Sequence, residues 1–208
     1  MKYFVTLAGN IGAGKTSLTA ALARRWGWDA LFEPVVENPY LADFYQDMRR
    51  WGFHSQTFFL SRRLNDYRGL LERPGSVIQD RSVYEDAEIF ACNLHRQGYI
   101  SERDWKTYYG LYSAIASLLP PPSLVVYLRA SAPVLLQRIR RRGRDIERSI
   151  SLDYLQQLNT LYEEWISRFA ICPTLIIDTN ALDFAHDEAH LTQVSDMIQN
   201  ALGLKVEG

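Results

Sequence analysis

Cysteine and lysine are scarce in this 208-residue chain, and long apolar runs are absent. The two cysteines, Cys92 and Cys172, lack metal-ligand spacing and each sits in an apolar stretch (IFACNL and AICPTLII). They read as buried reduced thiols, which excludes a disulfide framework and fits a cytoplasmic protein. No apolar stretch is long enough to span a bilayer, and the apolar part of the N-terminus, MKYFVTLAGN, is too short for a signal peptide. A net charge of −1 supplies no basic field to attract a nucleic-acid polymer. What is present, 47% hydrophobic and 23% charged residues, is the composition of a soluble globular protein with chain enough for one domain.

Four short runs, rich in β-branched or aromatic residues and bounded by turn signals, predict buried parallel strands at 3–8, 76–79, 123–128 and 174–177. A weaker fifth lies at 30–32, just ahead of Glu33-Pro34. Helical spacing occupies 16–26, 53–71, 84–96, 103–118, 133–142, 152–169 and 187–202. Pro120-Pro121-Pro122 stops the helix before the fourth strand, since proline lacks the amide donor. Strands alternating with helices predict one α/β domain over residues 1–208, with a five-stranded parallel sheet covered by helices on both faces.

Gly9-Asn10-Ile11-Gly12-Ala13-Gly14-Lys15-Thr16 matches G-x-x-x-x-G-K-[ST] without a mismatch, after a strand and before a helix. Its glycines let successive N–H groups wrap phosphates, and the helix N-terminus favours negative charge. Lys15 should reach the β- and γ-phosphates and the Thr16 hydroxyl should ligate Mg²⁺. With Ser17 these residues form the expected ATP site. A plain strand-to-helix turn would not need Lys-Thr there.

Other polar residues are individually ambiguous. Glu33 follows the second strand, at the sheet end where ligands collect, and could accept the proton of an attacking hydroxyl; it also reads as a surface residue before a proline turn. Asp80 and Arg81 follow the third strand and could hold Mg²⁺ and neutralise charge, or simply pair locally. Gln56 and Arg63 share a helix face two turns apart, and Asp86 could anchor Arg63 bidentately. Gln56 has the donor and acceptor that read adenine, yet cytosine offers a similar edge. Arg138, Arg142 and Arg144 crowd a helix end, where cations are favoured anyway. With a phosphate loop in the chain, a mobile arginine lid over ATP fits them better.

As an ordered set these segments resemble the deoxyribonucleoside kinase family, particularly its bacterial deoxyadenosine/deoxyguanosine kinase branch. The resemblance runs over nearly the whole chain: GNIGAGKT, Glu33-Pro34-Val35, ENPYLADFYQD, Gln56 with Arg63, DRSVYEDAEIFA, RIRRRGRDIE followed by SLDYL, and Asp183-Phe184. It implies a P-loop kinase fold with an Arg-rich lid at about 138–150. Glu33 would be the general base for the nucleoside 5′-hydroxyl, with Arg81 holding that carboxylate and the 5′-oxygen. Gln56 would read the base, Arg63 and Asp86 would close its pocket, and Tyr45 and Glu147 would contact the sugar 3′-hydroxyl. Arg138, Arg142 and Arg144 would be the lid arginines, and Asp80, where animal members usually carry Glu, would serve the metal. The family is typically dimeric through helices that here are 84–96 and 103–118.

The implied reaction is ATP plus a deoxyribonucleoside, preferably a purine, giving ADP and the 5′-monophosphate for deoxynucleotide salvage. A nucleoside monophosphate kinase of the thymidylate kinase type is the nearest rival, and a deoxycytidine kinase is an open variant. A GTP-binding switch is disfavoured because none of the four lysines (Lys2, Lys15, Lys106, Lys205) lies in N/T-K-x-D. A subunit without catalysis would not need Lys15, Thr16, Glu33, Asp80 and Arg81 together.

Overall fold

The computed structural model describes residues 2–33 and 37–204, with the backbone alone at 68 and 70–72. Five parallel strands, β1 (Phe4–Ala8), β2 (Asp29–Leu31), β3 (Val77–Asp80), β4 (Leu124–Arg129) and β5 (Thr174–Asp178), stand in the order β2-β3-β1-β4-β5. β1 is buried along its whole length and pairs with β3 from Phe4↔Val77 and with β4 from Val5↔Leu124. That register brings the ends of β1 and β3 level, so residues leaving them share one crevice.

Nine α-helical segments are described, linked in places by π and 3₁₀ turns: α1 (Lys15–Trp26), α2 (Leu41–Gln46), α3 (Met48–Glu72), α4 (Val83–Glu85), α5 (Cys92–Arg96), α6 (Glu102–Leu118), α7 (Ala132–Arg142), α8 (Leu152–Arg168) and α9 (Glu188–Ala201). Val5, Leu7, Ile78 and Val126 face one core with Leu18 and Leu22 of α1, Leu135 and Ile139 of α7, and Val194 and Ile198 of α9. Ala8, Val125 and Tyr127 face the other, with Leu60 of α3, Tyr108 of α6, and Leu158 and Tyr162 of α8. Full burial of each such aliphatic side chain contributes roughly 1.5–3 kcal/mol, so the strands' alternation holds both helical layers.

Several local expectations are corrected. α3 starts at Met48 rather than 53, because the Asp47 carboxylate accepts the Arg50 N–H at 3.0 Å and caps the extra turn. α2 was not anticipated; at six residues it is too short to show a period. The helix expected over 84–96 contains a π turn, Asp86–Ala91, between α4 and α5. β5 is an edge strand rather than a buried one: Ile177 faces the core, while Ile176 is 40% exposed. Cys92 and Cys172 are free but only half-buried. Pro34 and Val35, part of the expected turn after Glu33, lie outside the described residues. No helix among the described residues is long and apolar enough to cross a membrane.

Candidate active site

The β1–α1 loop is shaped by backbone that only glycine adopts freely. Gly12 and Gly14 have φ of 84° and 95°. A Cβ on Gly12 would stand 2.8 Å from the Leu135 carbonyl oxygen, and one on Gly14 2.8 Å from the Phe184 ring. Asn10 locks the loop from below, donating to the Leu155 carbonyl at 3.0 Å and to Asn159 at 2.8 Å. Lys15 folds its ammonium onto the Gly9 and Asn10 carbonyls at 2.7 and 3.1 Å. Burial, with Arg81 beside it, lowers its pKa to about 8.

Thr16 donates its hydroxyl to Asp80 Oδ2 at 2.6 Å. The second oxygen, Asp80 Oδ1, is buried and has no hydrogen-bond partner among the described residues. A hydroxyl and a carboxylate oxygen with a free lone pair beside a phosphate loop suit Mg²⁺, which takes few protein ligands and keeps waters and phosphate oxygens. No group of three or more His, Cys, Asp or Glu that could hold a metal ion occurs among the described residues.

Arg81 is the non-glycine residue with positive φ, 68°, among those described. That costly conformation turns its guanidinium back into the crevice, over the Phe90 ring at 4.2 Å, with Nε 2.6 Å from Glu33 Oε1. Burial by itself would raise the Glu33 pKa, but Arg81, with Arg63 and Lys15 nearby, outweighs it and holds the carboxyl below its ordinary value. Glu33 is therefore an ionised carboxylate at neutral pH, facing the phosphate loop.

A cavity of ≈170 Å³ opens beyond Glu33, walled by Leu41, Phe44, Phe59 and Phe90. Gln56 lines it, only 4% exposed, and its amide makes no hydrogen bond with a described residue. Asp86 lines it too, while Arg63 stands behind and outside the lining, its Nε on Asp86 Oδ2 at 2.9 Å and its Nη1 on the Asp80 carbonyl at 3.3 Å. Burial opposes charge on Arg63, and Asp86 more than restores it. Arg63 thus presents the carboxylate rather than itself. Tyr45, Tyr154 and Glu147 complete the wall. Burial, with Tyr154, Glu147 and Glu33 beside it, keeps the Tyr45 hydroxyl protonated.

The three arginines expected to act together have different partners. Arg142 Nη2 donates to both Glu147 carboxylate oxygens at 2.7 Å, Arg144 lies 3.6 Å from Glu147, and all three residues line the ≈170 Å³ cavity. Arg138 instead donates to the Thr179 and Leu182 carbonyls at 2.5 and 3.1 Å. It lines a second cleft, of ≈580 Å³, with Gly12, Gly14, Arg141, Arg142 and Phe184. Gly12, Gly14, Ser17 and Arg142 border both spaces. Sequence reasoning gave no role to Phe90 and Tyr154, although they lie within DRSVYEDAEIFA and SLDYL, nor to Glu85, whose S-x-x-E spacing from Ser82 could have disclosed it.

A phosphate-wrapping loop facing an ionised carboxylate and a cavity with a partly apolar wall defines a phosphotransferase with a P-loop kinase fold. The sequence profile of the deoxynucleoside kinase family matches residues 5–202. A Bacillus subtilis deoxyadenosine/deoxycytidine kinase is 38% identical over 95% of this chain and 92% of its own. A deoxyguanosine kinase of the same organism is 30% identical over 96% and 97%. Among solved structures, a deoxyadenosine kinase from M. mycoides with dCMP and dCDP bound superposes with a TM-score of 0.84 at 27% identity, covering 95% of this chain and 99% of that one. The same kinase with dATP gives 0.83 at 27% identity and the same coverage. The chain belongs to the deoxynucleoside kinase family.

Proposed function

We propose that the protein transfers the γ-phosphate of ATP to the 5′-hydroxyl of a purine deoxyribonucleoside, deoxyadenosine before deoxyguanosine. The product would be the 5′-monophosphate of deoxynucleotide salvage. The observation that carries this reading is the Glu33–Arg81 pair, a carboxylate held ionised between the phosphate loop and the cavity.

Glu33 accepts the hydrogen bond of the 5′-hydroxyl and aims its oxygen at the phosphate. A carboxylate of depressed pKa is a weak base, so it takes the proton late, once bonding to phosphorus has made the hydroxyl acidic. Lys15 leaves the Gly9 and Asn10 carbonyls for the donor phosphates, whose negative charge stabilises its ammonium. Arg142 and Arg144 neutralise the transferring group as part of a lid at 138–150, while Arg138 serves the donor cleft. Thr16 and Asp80 would hold Mg²⁺, which neutralises phosphate charge when bound. Gln56 reads the base, Asp86 accepts from it with Arg63 behind, and Tyr45 and Glu147 take the sugar 3′-hydroxyl.

The buried cations beside Glu33 and the base pocket are already committed, Arg63 to Asp86 and Arg81 to Glu33. This favours a neutral acceptor over the phosphorylated one of a nucleoside monophosphate kinase. A second reading, deoxycytidine as an alternative acceptor, has support from the 38% identical relative named for both bases and from the edge that Gln56 would share between them.

In this proposal one kinase domain spans 1–208 and works as a cytosolic homodimer. Its interface would use the segments 84–96 and 103–118, in the second of which Tyr109 and Leu111 are 39% and 46% exposed while Tyr108 and Tyr112 are buried in the core. Competition among the four deoxynucleosides and their monophosphates at fixed ATP tests the central claim. Phosphorylation of deoxyadenosine ahead of the pyrimidines is the expected result. Preference for a monophosphate would overturn the neutral acceptor, and a clear pyrimidine preference would overturn the base.

A further inference from the structure

Glu85 has no solvent exposure, so it can touch neither nucleoside nor ATP. Its place follows from local sequence, because it closes a capping box with Ser82 at the start of α4. Oε2 accepts the Ser82 N–H at 2.9 Å and lies 3.2 Å from the Ser82 hydroxyl. Oε1 accepts the Gly9 N–H at 3.1 Å and lies 2.8 Å from the Tyr162 hydroxyl. Tyr162 comes from α8, on the far side of the core, where its ring stacks on Tyr127 at 5.3 Å. Its hydroxyl also stands 2.7 Å from the Gly9 carbonyl oxygen and accepts from Arg81 Nη1 at 3.2 Å. The same Nη1 is 3.8 Å from Glu85. Two fully buried groups thus grip both polar atoms of the phosphate loop's first glycine and the back of the guanidinium whose front holds Glu33.

A buried carboxylate is costly unless its lone pairs are filled, and a capping box alone needs only one of these oxygens. Aligning the second with the loop and with Arg81 ties the donor cradle to the carboxylate on the acceptor side. We propose that Glu85 and Tyr162 are positioning residues that share Arg81 with Glu33 and fix Gly9, so that phosphate donor and base are held in one rigid frame. Tyr162 keeps the guanidinium at a distance from Glu85; Glu85 keeps it from committing its whole charge to Glu33. Small displacements of such a frame carry large rate penalties.

The two variants Tyr162→Phe and Glu85→Gln should therefore move Glu33 in opposite directions. Without the tyrosine hydroxyl, Arg81 closes on Glu85 and slackens on Glu33. Without the Glu85 charge, Arg81 serves Glu33 alone. The other groups facing Glu33, namely Lys15 of α1, Tyr45 of α2, Arg63 of α3 and Asp86 after α4, are unaltered in both.

The experiment is steady-state deoxyadenosine phosphorylation by the full-length chain from pH 4 to 9, with thermal melting of each variant. Tyr162→Phe is expected to fold and to keep KM for deoxyadenosine within about threefold while kcat falls about tenfold or more. The acid limb of its kcat/KM profile should move to higher pH, and that of Glu85→Gln to lower pH. An unchanged kcat and acid limb in folded Tyr162→Phe overturns the inference, even if Glu85→Gln fails to fold. The inference rests on the kinase reading above. A parent chain inactive on every deoxynucleoside would remove both, whereas an active parent with an indifferent Tyr162→Phe removes this one alone.

Discussion

On the donor side, residues 9–16 build the binding surface from their own backbone, and Lys15, Thr16 and the N-terminus of α1 follow without a break. On the acceptor side, Glu33, Gln56, Asp86 and Glu147 arrive from four separate segments and meet only across the cavity. The two halves also differ in charge. Glu33, Asp86 and Glu147 each hold an arginine, whereas Asp80 keeps one buried oxygen without a partner among the described residues. Under the proposed function the donor half would receive a polyanion and a cation. The acceptor half has its carboxylates paired in advance, and the Gln56 amide, with no hydrogen bond to a described residue, would meet a neutral base.

The comparison breaks most visibly at Glu33. Glu33→Gln is expected to lower kcat by about three orders of magnitude while the calorimetric Kd for deoxyadenosine changes little. Near-normal turnover would remove Glu33 from the role of base. Arg63→Ala should damage the acceptor half through stability, because it strands Asp86 in a buried site without its cation. A loss of about 3–5 kcal/mol in chemical denaturation is expected, and no loss would mean that the pair is not buried in solution.

Gly12→Ala should fall on the donor side alone. It places a Cβ against the Leu135 carbonyl in a left-handed conformation, at a cost of about 1–3 kcal/mol. KM for ATP should rise about tenfold with deoxyadenosine affinity preserved; equal damage to both would show that the halves are not separable.

The mildest probe is pH. Glu33 has a folded pKa depressed below the 4.5 of a free glutamate, so its pairing with Arg81 stabilises the fold above that value and is lost as pH falls through the depressed one. The acid limb of kcat/KM for deoxyadenosine should accordingly lie below 4.5. Lys15, lowered to about 8, should give an alkaline limb in kcat/KM for ATP that disappears from kcat once phosphates are bound. Finding both limbs in one substrate's profile would merge what the two halves keep apart.

Much of the layout was legible in the chain. Strands rich in β-branched residues, helical spacing between them and the glycine loop gave the parallel sheet and its phosphate site, because these signals are local. Glu33, Asp80 and Arg81 could be nominated because residues at strand ends share one edge of a parallel sheet. α2 escaped because six residues hold less than two turns, and β5 was overread because a run of apolar residues does not say whether both faces are covered. Arg138, Arg142 and Arg144 looked like one set, since spacing of i, i+4 puts two of them on one helix face. The fold gives them different partners, because the Thr179 and Leu182 carbonyls capture Arg138 while Glu147 captures the other two, although Arg138 and Arg142 still line one cleft.

The sequence by itself therefore determined the fold class and the phosphate-binding end of the chemistry, both properties of contiguous backbone. Only the tertiary structure decided that Arg142 and Arg144 serve Glu147, that Arg63 stands outside the cavity lining, and that Glu85 and Tyr162 join the loop to Arg81. Ion pairing depends on separations of a few ångströms, and residues 48 or 77 positions apart, such as Glu33 with Arg81 or Glu85 with Tyr162, acquire those separations only when both core layers have packed.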